Sequence, residues 1–355
     1  MQPPQGAPSS IGTSNGAPQA AQKGGAMKWT PRQQTAQSVP CAATGASQAR
    51  QSGGSSKSSA RAITRWKGEE EEASDMLGSE GRLVYPTRMK ASGQIAVFDR
   101  ALLRARRDRA AGNFAAHGAL FDEIAAQLIE RLGGIKQEFG SALDLGAHAG
   151  GLAQELARKV PFVVATDISE KMARGAGGSA VVADEELLPF APGSFDLIVS
   201  NLSLHWVNDL PGTLAQIRTA LRPGGVFLAS LIGGGSLHEL RASLMEAELA
   251  VAGGVGPRLS PAVDLSTASA LLQRAGFALP VTDMEQVTLL YKDMLDLMRD
   301  LRGMGESAAH FARPRQPAQR RVFHEAARLY KERFGGVDGR IPASFEIIFW
   351  HGVKS

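Results

Sequence analysis

The sequence predicts an open, doubly wound α/β fold with a mainly parallel sheet, and three observations predict it. From residue 141, five short apolar runs alternate with helical stretches: "SALDL" (141–145), "FVVAT" (162–166), "SAVVA" (179–183), "FDLIVS" (195–200) and "GVFLASL" (225–231). Runs this short and this apolar are what parallel strands buried on both faces produce. The first passes through a glycine-bearing turn, "GAHAGG" (146–151), straight into a helical pattern, which is how a right-handed βαβ crossover begins. Two late apolar stretches, "DMEQVTLLY" (283–291) and "SFEIIFWHGVK" (344–354), then complete the sheet with an antiparallel edge.

The elements follow in chain order. Residues 1–75 form a leader whose first 67 residues hold eight Lys and Arg and no Asp or Glu; with a net charge of +4 for the whole chain, the remainder is −4. The basic balance therefore belongs to the leader and carries no argument for nucleic acid. A stretch rich in Ser, Ala, Gln and Gly has too little apolar surface to offset the entropy of folding. Basic and free of acids, it has the composition of an organelle transit peptide, the alternatives being a plain disordered tail or a start at Met27. Composition does not separate mitochondrion from plastid. Nothing resembles a secretory core or an apolar run of about 20 residues. The single cysteine, Cys41, falls in the leader, so the rest of the chain has no disulfide, thiolate metal site or cysteine nucleophile.

The acidic run "KGEEEEAS" (67–74) reads as solvated. Residues 76–117 form a basic N-terminal helical segment. Arg100, Arg104, Arg106, Arg107 and Arg109 crowd one helix at 97–111, as a basic solvent face or as a lid or docking surface for an acidic partner. The main domain is 118–355. Its first stretch, "GALFDEIAAQLIERL" (118–132), puts Leu120, Phe121, Ile124, Leu128 and Leu132 on one helical face that must pack on something. Helices at 150–159, 169–175, 210–222 and 236–250 fall between the strands, the third ended by Pro223. Helices at 265–275, 291–302 and 317–334 follow, the last two inside a helical insert at about 291–340.

In an open α/β sheet, ligands bind beyond the carboxyl ends of the strands at the switch point, so the turn at 146–150 is the place to look. Gly146 and Gly150 lack a Cβ and let the backbone turn sharply and approach a ligand. His148 stands where such a loop usually has its middle glycine, which costs freedom and brings an imidazole to the site. Asp167 ends the second strand about 20 residues after Asp144, where an acid accepts hydrogen bonds from ribose hydroxyls; it or Ser169 would equally cap the next helix. Further candidates are Asn201, His205 and Trp206 after the fourth strand, and Gly234, His238, Glu239 and Arg241 after the fifth. Trp206 in the core, and Glu239 to Arg241 on a solvated helix face, are the alternatives. None of the seven histidines begins a His-x-Asp or His-x-Glu pair, so no metal-ligand set is predicted.

In ordered combination these motifs resemble the class I S-adenosylmethionine-dependent methyltransferases. "LDLG" (143–146) with its loop stands for their first motif, and Asp184 in "VVADEELLPF" for the acid after the third strand. "GSFDLIVSNLSLHWVNDLPGTLAQIRTALRPGGVFLAS" (193–230) reads as the block from fourth to fifth strand. The resemblance implies a seven-stranded Rossmann-like sheet and S-adenosylmethionine as cofactor. Asp144 and Gly146 would line its methionine end, with His148 and Gly150 in the same loop. Asp167, with Ile168 beside it, would hold the ribose, Asp184 and Glu185 would face the adenine, and Asn201 would lie close by.

A narrower resemblance rests on "ADEELLPF" (183–190), "NLSLHWVNDLP" (201–211), "GGGSLHELRASL" (233–244), "LLQRAGF" (271–277) and "DLRGMGES" (300–307). These are similar to the mitochondrial complex I assembly factor branch of the family, a cousin of the malonyl-carrier-protein O-methyltransferases of biotin synthesis. That branch implies a place in the mitochondrial matrix or at the matrix face of the inner membrane, with other assembly factors as possible company. It also implies hydroxylation of an arginine on an iron–sulfur subunit. Two further functions stay open: O-methylation of a small molecule or acyl carrier, with His205, Trp206 or, more remotely, His148 near the acceptor, and a non-catalytic assembly chaperone. Methyl transfer asks the protein mainly for orientation, because the sulfonium is already activated. A chaperone would dock through the Arg100–Arg109 cluster and through Arg313, Arg315, Arg320 and Arg321.

Overall fold

The computed structural model describes residues 88–89, 95–314 and 319–355. The leader with Cys41, the acidic run at 67–74 and Arg315 lie outside the described residues. A short antiparallel ribbon of β1 (Arg88–Met89) and β2 (Ile95–Ala96) leads into α1 (Arg100–Ala110). Asp99 caps that helix, accepting from the Leu102 backbone N–H at 3.0 Å. α2 (Ala119–Gly133) follows and buries the five apolar residues read from its periodicity.

Seven strands form the sheet: β3 (Ser141–Leu145), β4 (Phe162–Asp167), β5 (Ser179–Val182), β6 (Phe195–Asn201), β7 (Leu221–Ile232), β8 (Ala278–Tyr291) and β9 (Ile341–Val353). Their order is β5-β4-β3-β6-β7-β9-β8. Pairing is parallel from β5 through β7, and β9 runs antiparallel to both β7 and β8. After β3 the chain winds outward through β4 and β5, then returns to place β6 on the other side. The switch point is therefore the gap between the ends of β3 and β6, next to the predicted turn.

Alternation along β6 shows how two cores arise from one strand. Leu197 and Val199 pack on the side of α2, α3 (Gly151–Ala157) and α6 (His238–Ala252), whereas Ile198 packs with α5 (Leu210–Ala220) and α7 (Leu265–Arg274). One expectation fails. The run at 179–183 was read as buried on both faces, but Val181 and Val182 of β5 are 37% and 47% exposed, because β5 is the sheet edge and has a strand on one side only.

The helical insert holds α8 (Met294–Gly303) and α9 (Arg320–Phe334) between β8 and β9. Tyr330 donates to the Pro342 carbonyl at 2.7 Å and Tyr291 to Asp300 Oδ2 at 2.7 Å, fixing both helices to the sheet. The insert also meets α1: the Asp99 N–H donates to the Ala309 carbonyl at 2.7 Å, and Arg106 donates to the carbonyls of Ser307 and Ala308. α1 and the insert together roof the strand ends. Among the described residues, no helix is long and apolar enough to cross a membrane.

Gly150 sits at φ +84°, and a Cβ there would lie 2.4 Å from Ala176 Cα. Gly150→Ala is expected to lower the unfolding free energy by about 3 kcal/mol in urea titration, since backbone strain and a clash with fixed backbone both apply.

Candidate functional site

The loop after β3 turns through three residues with positive φ, Gly146 at 75°, His148 at 49° and Gly150 at 84°. Its close approaches are to protein: a Cβ at Gly146 would meet Ser203 Oγ at 2.1 Å, as one at Gly150 would meet Ala176. His148 is buried with its ring stacked 5.6 Å from Phe114 and edge-on to Phe121 at 4.5 Å. Burial, then the positive charge of Arg107, push its pKa down to about 3, so the imidazole is neutral at physiological pH and a poor base. It serves as part of an aromatic box.

The predicted acids converge at the strand ends, and α1 supplies their counter-charges. Asp167 accepts from the His148 N–H at 3.1 Å, the Ser169 N–H at 2.7 Å and Arg107 Nη1 at 3.0 Å. Arg107 is wholly buried; it also donates to Glu185 Oε1 at 3.3 Å and to Ser203 Oγ at 3.0 Å, and Ser203 Oγ donates to Glu185 at 2.6 Å. Arg100 donates to Asp184 Oδ1 at 2.7 Å, to Glu185 Oε2 and to the Trp206 carbonyl at 3.2 Å. Against the cost of burial, Arg100 and Arg107 hold the Glu185 carboxyl down to about 2. Ser169 caps α4 (Glu170–Ala176) by accepting from the Met172 N–H at 3.1 Å, leaving Asp167 to the arginine. Ile168 is buried beside it.

Of the remaining predicted residues, Asn201 is structural in its contacts: Nδ2 donates to the Phe121 carbonyl at 2.9 Å and Oδ1 accepts from Ser230 at 3.0 Å. Trp206 is both core and wall. It packs edge-on to Phe98 at 5.4 Å, and its Nε1 donates to Glu306 Oε2 at 2.7 Å, the oxygen that also lies 3.0 Å from His205 Nε2. His205, Trp206 and Glu306 border a cavity of about 680 Å³ that the acids beneath α1 do not line. Glu239 is buried and accepts from the Ser344 hydroxyl, which removes it from the solvated face that is one of its two alternatives; His238 is exposed and Arg241 reaches the cavity. The arginine cluster of α1 splits: Arg100 and Arg107 face inward to the acids, Arg106 and the more exposed Arg109 border the cavity, and Arg104 is exposed, as are Arg320 and Arg321 of α9.

Sequence reasoning missed the inward arginines, Ser203 and Glu306. A signal existed for the first: Arg100, Leu103, Arg107 and Ala110 recur at helical spacing, and all but Arg100 are buried.

Asp144 is different from its neighbours. It is fully buried and no donor reaches hydrogen-bond geometry on either oxygen. Burial, with Asp167 adding to it and the nearby Ala153 backbone N–H opposing it, pushes its carboxyl up to about 8. An orphaned acceptor beside a positive-φ turn, with further acids on the next strand ends, fits a cationic, hydroxyl-bearing cofactor such as S-adenosylmethionine. Asp167 is open to it only in exchange for Arg107, and Glu185 only in exchange for Arg107, Arg100 and Ser203. The raised Asp144 fixes a sign: between its ordinary 3.8 and about 8 the folded carboxyl keeps a proton that the unfolded chain has released. Stability then falls with rising pH by up to roughly 1.4 kcal/mol per unit and levels off above that window. Denaturation from pH 5 to 9 is expected to show this decline in the wild type and its loss in Asp144→Asn.

Comparison with known proteins agrees with this architecture. Residues 143–229 match the family described as Methyltransferase domain. The arginine-hydroxylase NDUFAF5, mitochondrial, of Danio rerio is 40% identical over 266 residues, which cover 73% of this chain and 83% of that protein. The Homo sapiens protein of the same name is 38% identical over 266 residues, 73% of this chain and 77% of its own. A malonyl-[acyl-carrier protein] O-methyltransferase of Gallionella capsiferriformans is 31% identical over 280 residues, 73% of this chain and 92% of its own. At these identities and coverages the chain belongs to the methyltransferase-fold family that includes the mitochondrial arginine-hydroxylase NDUFAF5.

Proposed function

We propose that the protein binds S-adenosylmethionine and acts in the mitochondrion in assembly of NADH dehydrogenase (complex I), hydroxylating an arginine of an iron–sulfur subunit. Dioxygen is the oxygen source, and an external two-electron reductant takes the second oxygen atom to water. The observation that carries this reading is the 40% identity to an arginine-hydroxylase over 83% of that protein's length. Asp144, the loop from Gly146 to Gly150, Asp167 with Ile168, Asp184 and Glu185 would hold the cofactor, which supplies a sulfonium cation suited to an acidic cleft. The chain's own contribution is the exchange at Asp167. Arg107 and Arg100 neutralise the acids while α1 is seated, and with Arg107 withdrawn Asp167 would be free to accept from ribose hydroxyls. His148, neutral in its aromatic box, keeps the loop in shape and moves no proton.

The 31% identity to a malonyl-carrier methyltransferase favours one second reading, O-methylation of a small molecule or acyl carrier by the same cofactor site. Mass spectrometry of the iron–sulfur subunit co-expressed with wild type and with Asp167→Ala separates them. One oxygen gained on an arginine with the wild type alone is expected. A gained methyl would favour the transferase, and no change with the partner still bound would favour a chaperone.

Calorimetry with S-adenosylhomocysteine tests the exchange directly. Asp167→Ala is expected to lose binding, while Arg107→Ala binds about tenfold more tightly than wild type, a gain of roughly 1.4 kcal/mol. Equal affinity of wild type and Arg107→Ala would sink the exchange and leave the cofactor assignment standing.

A further inference from the structure

We propose that the cavity of about 680 Å³ between β7, α6, α8 and α1 is a binding site for a small amphipathic anion, its apolar body inside and its carboxylate or phosphate on the arginines of the wall. The interior is apolar, with Ile232, Leu240, Leu244, Met298, Phe323 and Phe345 on its surface. Five guanidinium groups join them: Arg106, Arg109, Arg241, Arg302 and Arg313. Among the described residues, no carboxylate forms an ion pair with any of the five.

The acids nearby are already engaged. Arg258 and Arg299, which also reach the cavity, are paired with Glu248 and Asp296. Glu306 accepts from Trp206 and faces His205 through Oε2, its Oε1 being buried without a hydrogen-bond partner among the described residues, and Asp99 caps α1. Burial, then the like charges of Arg313 and Arg109, push the Arg106 pKa down to about 10 against the opposing charge of Asp99. Its guanidinium is nonetheless held in place by the Ser307 and Ala308 carbonyls, so the cation is positioned before any ligand arrives. Cations gathered at the edge of an apolar hollow are stabilised by an anion that sheds water into the same hollow.

A volume of this size, mostly apolar with a few fixed polar groups, is that of a small-molecule site. The charges border a concavity instead of spreading over a flat face, which favours a small ligand over a protein surface. The same charges oppose entry of a guanidinium, so this ligand is not the arginine of the proposed reaction. The inference depends on neither hydroxylation nor methylation and needs no bound cofactor.

The test is calorimetric titration of the full chain with four probes below their micelle concentrations: octanoate, octyl phosphate, octanol and octyltrimethylammonium. Octanoate and octyl phosphate are expected to bind at least tenfold more tightly than octanol, with the preference shrinking as salt rises, and the ammonium is expected not to bind. The paired change Arg109→Gln with Arg313→Gln should erase the preference while leaving octanol affinity and the thermal melt unchanged; Arg241→Gln provides a second variant. Equal binding of octanol and octanoate, no binding of any probe, or anion binding unaltered in these variants would overturn the proposal. Binding only to phosphatidylglycerol vesicles, or only to an acidic peptide such as hexaglutamate, would overturn it too, by assigning the charge to a membrane or protein surface.

Discussion

The structure around the strand ends depends on one buried cation. Arg107 is withdrawn entirely from water, and its cost is offset only because Asp167, Glu185 and Ser203 receive it together. These partners come from β4, the stretch after β5 and the stretch after β6, so a single guanidinium joins three parts of the sheet to α1. Truncating a member of such a set leaves its opposite charges buried and unpaired, which is why buried pairs are costly to break even where they add little net stability. Because Arg107 sits on the helix that also carries Arg106, the clasp fixes the roof as well as the floor. Arg106 holds the insert loop from one side of α1 while Arg107 holds the acids from the other.

His148 shows how a loop accepts a residue out of keeping with its pattern. The backbone there lies at φ 49°, inside the small left-handed region open to residues other than glycine. What would otherwise be a strained substitution is supported by Phe114 and Phe121, whose rings bound the imidazole. The histidine thereby exchanges the freedom of glycine for packing, and its buried, neutral ring adds no charge to an already crowded set of acids.

Much of the architecture was legible because burial writes itself into periodicity. The apolar faces of α2 and β6 are readable from spacing, and parallel strand ends in a doubly wound sheet converge whether or not the residues on them are known. Strand-end convergence points to Asp167, while Asp144, Asp184 and Glu185 follow from the family resemblance; Asp167, Asp184 and Glu185 meet through Arg107 and Arg100. What spacing could not convey is the direction of contact. Gly146 and Gly150 are small for Ser203 and Ala176, residues far away in sequence, and Asn201 is committed to the Phe121 carbonyl and Ser230. Glu306, in a stretch recognised only as a likeness, acquires meaning from Trp206 and His205 across a hundred residues. A run of arginines likewise reads as one basic patch until the helix divides it into two faces.

The position of β9 governs how the chain can come together. It pairs along β7 from Val226 with Val353 to Ile232 with Ile347, and β8 has no strand neighbour in the sheet except β9. Until the segment after residue 340 has emerged from the ribosome or import channel, β7 presents an open edge and β8 is a 14-residue strand with nothing to pair with. Open apolar edges of this kind invite pairing with other chains. The chain therefore passes through a vulnerable interval until β9 is made, and β9 acts as a keystone whose arrival closes the sheet from within.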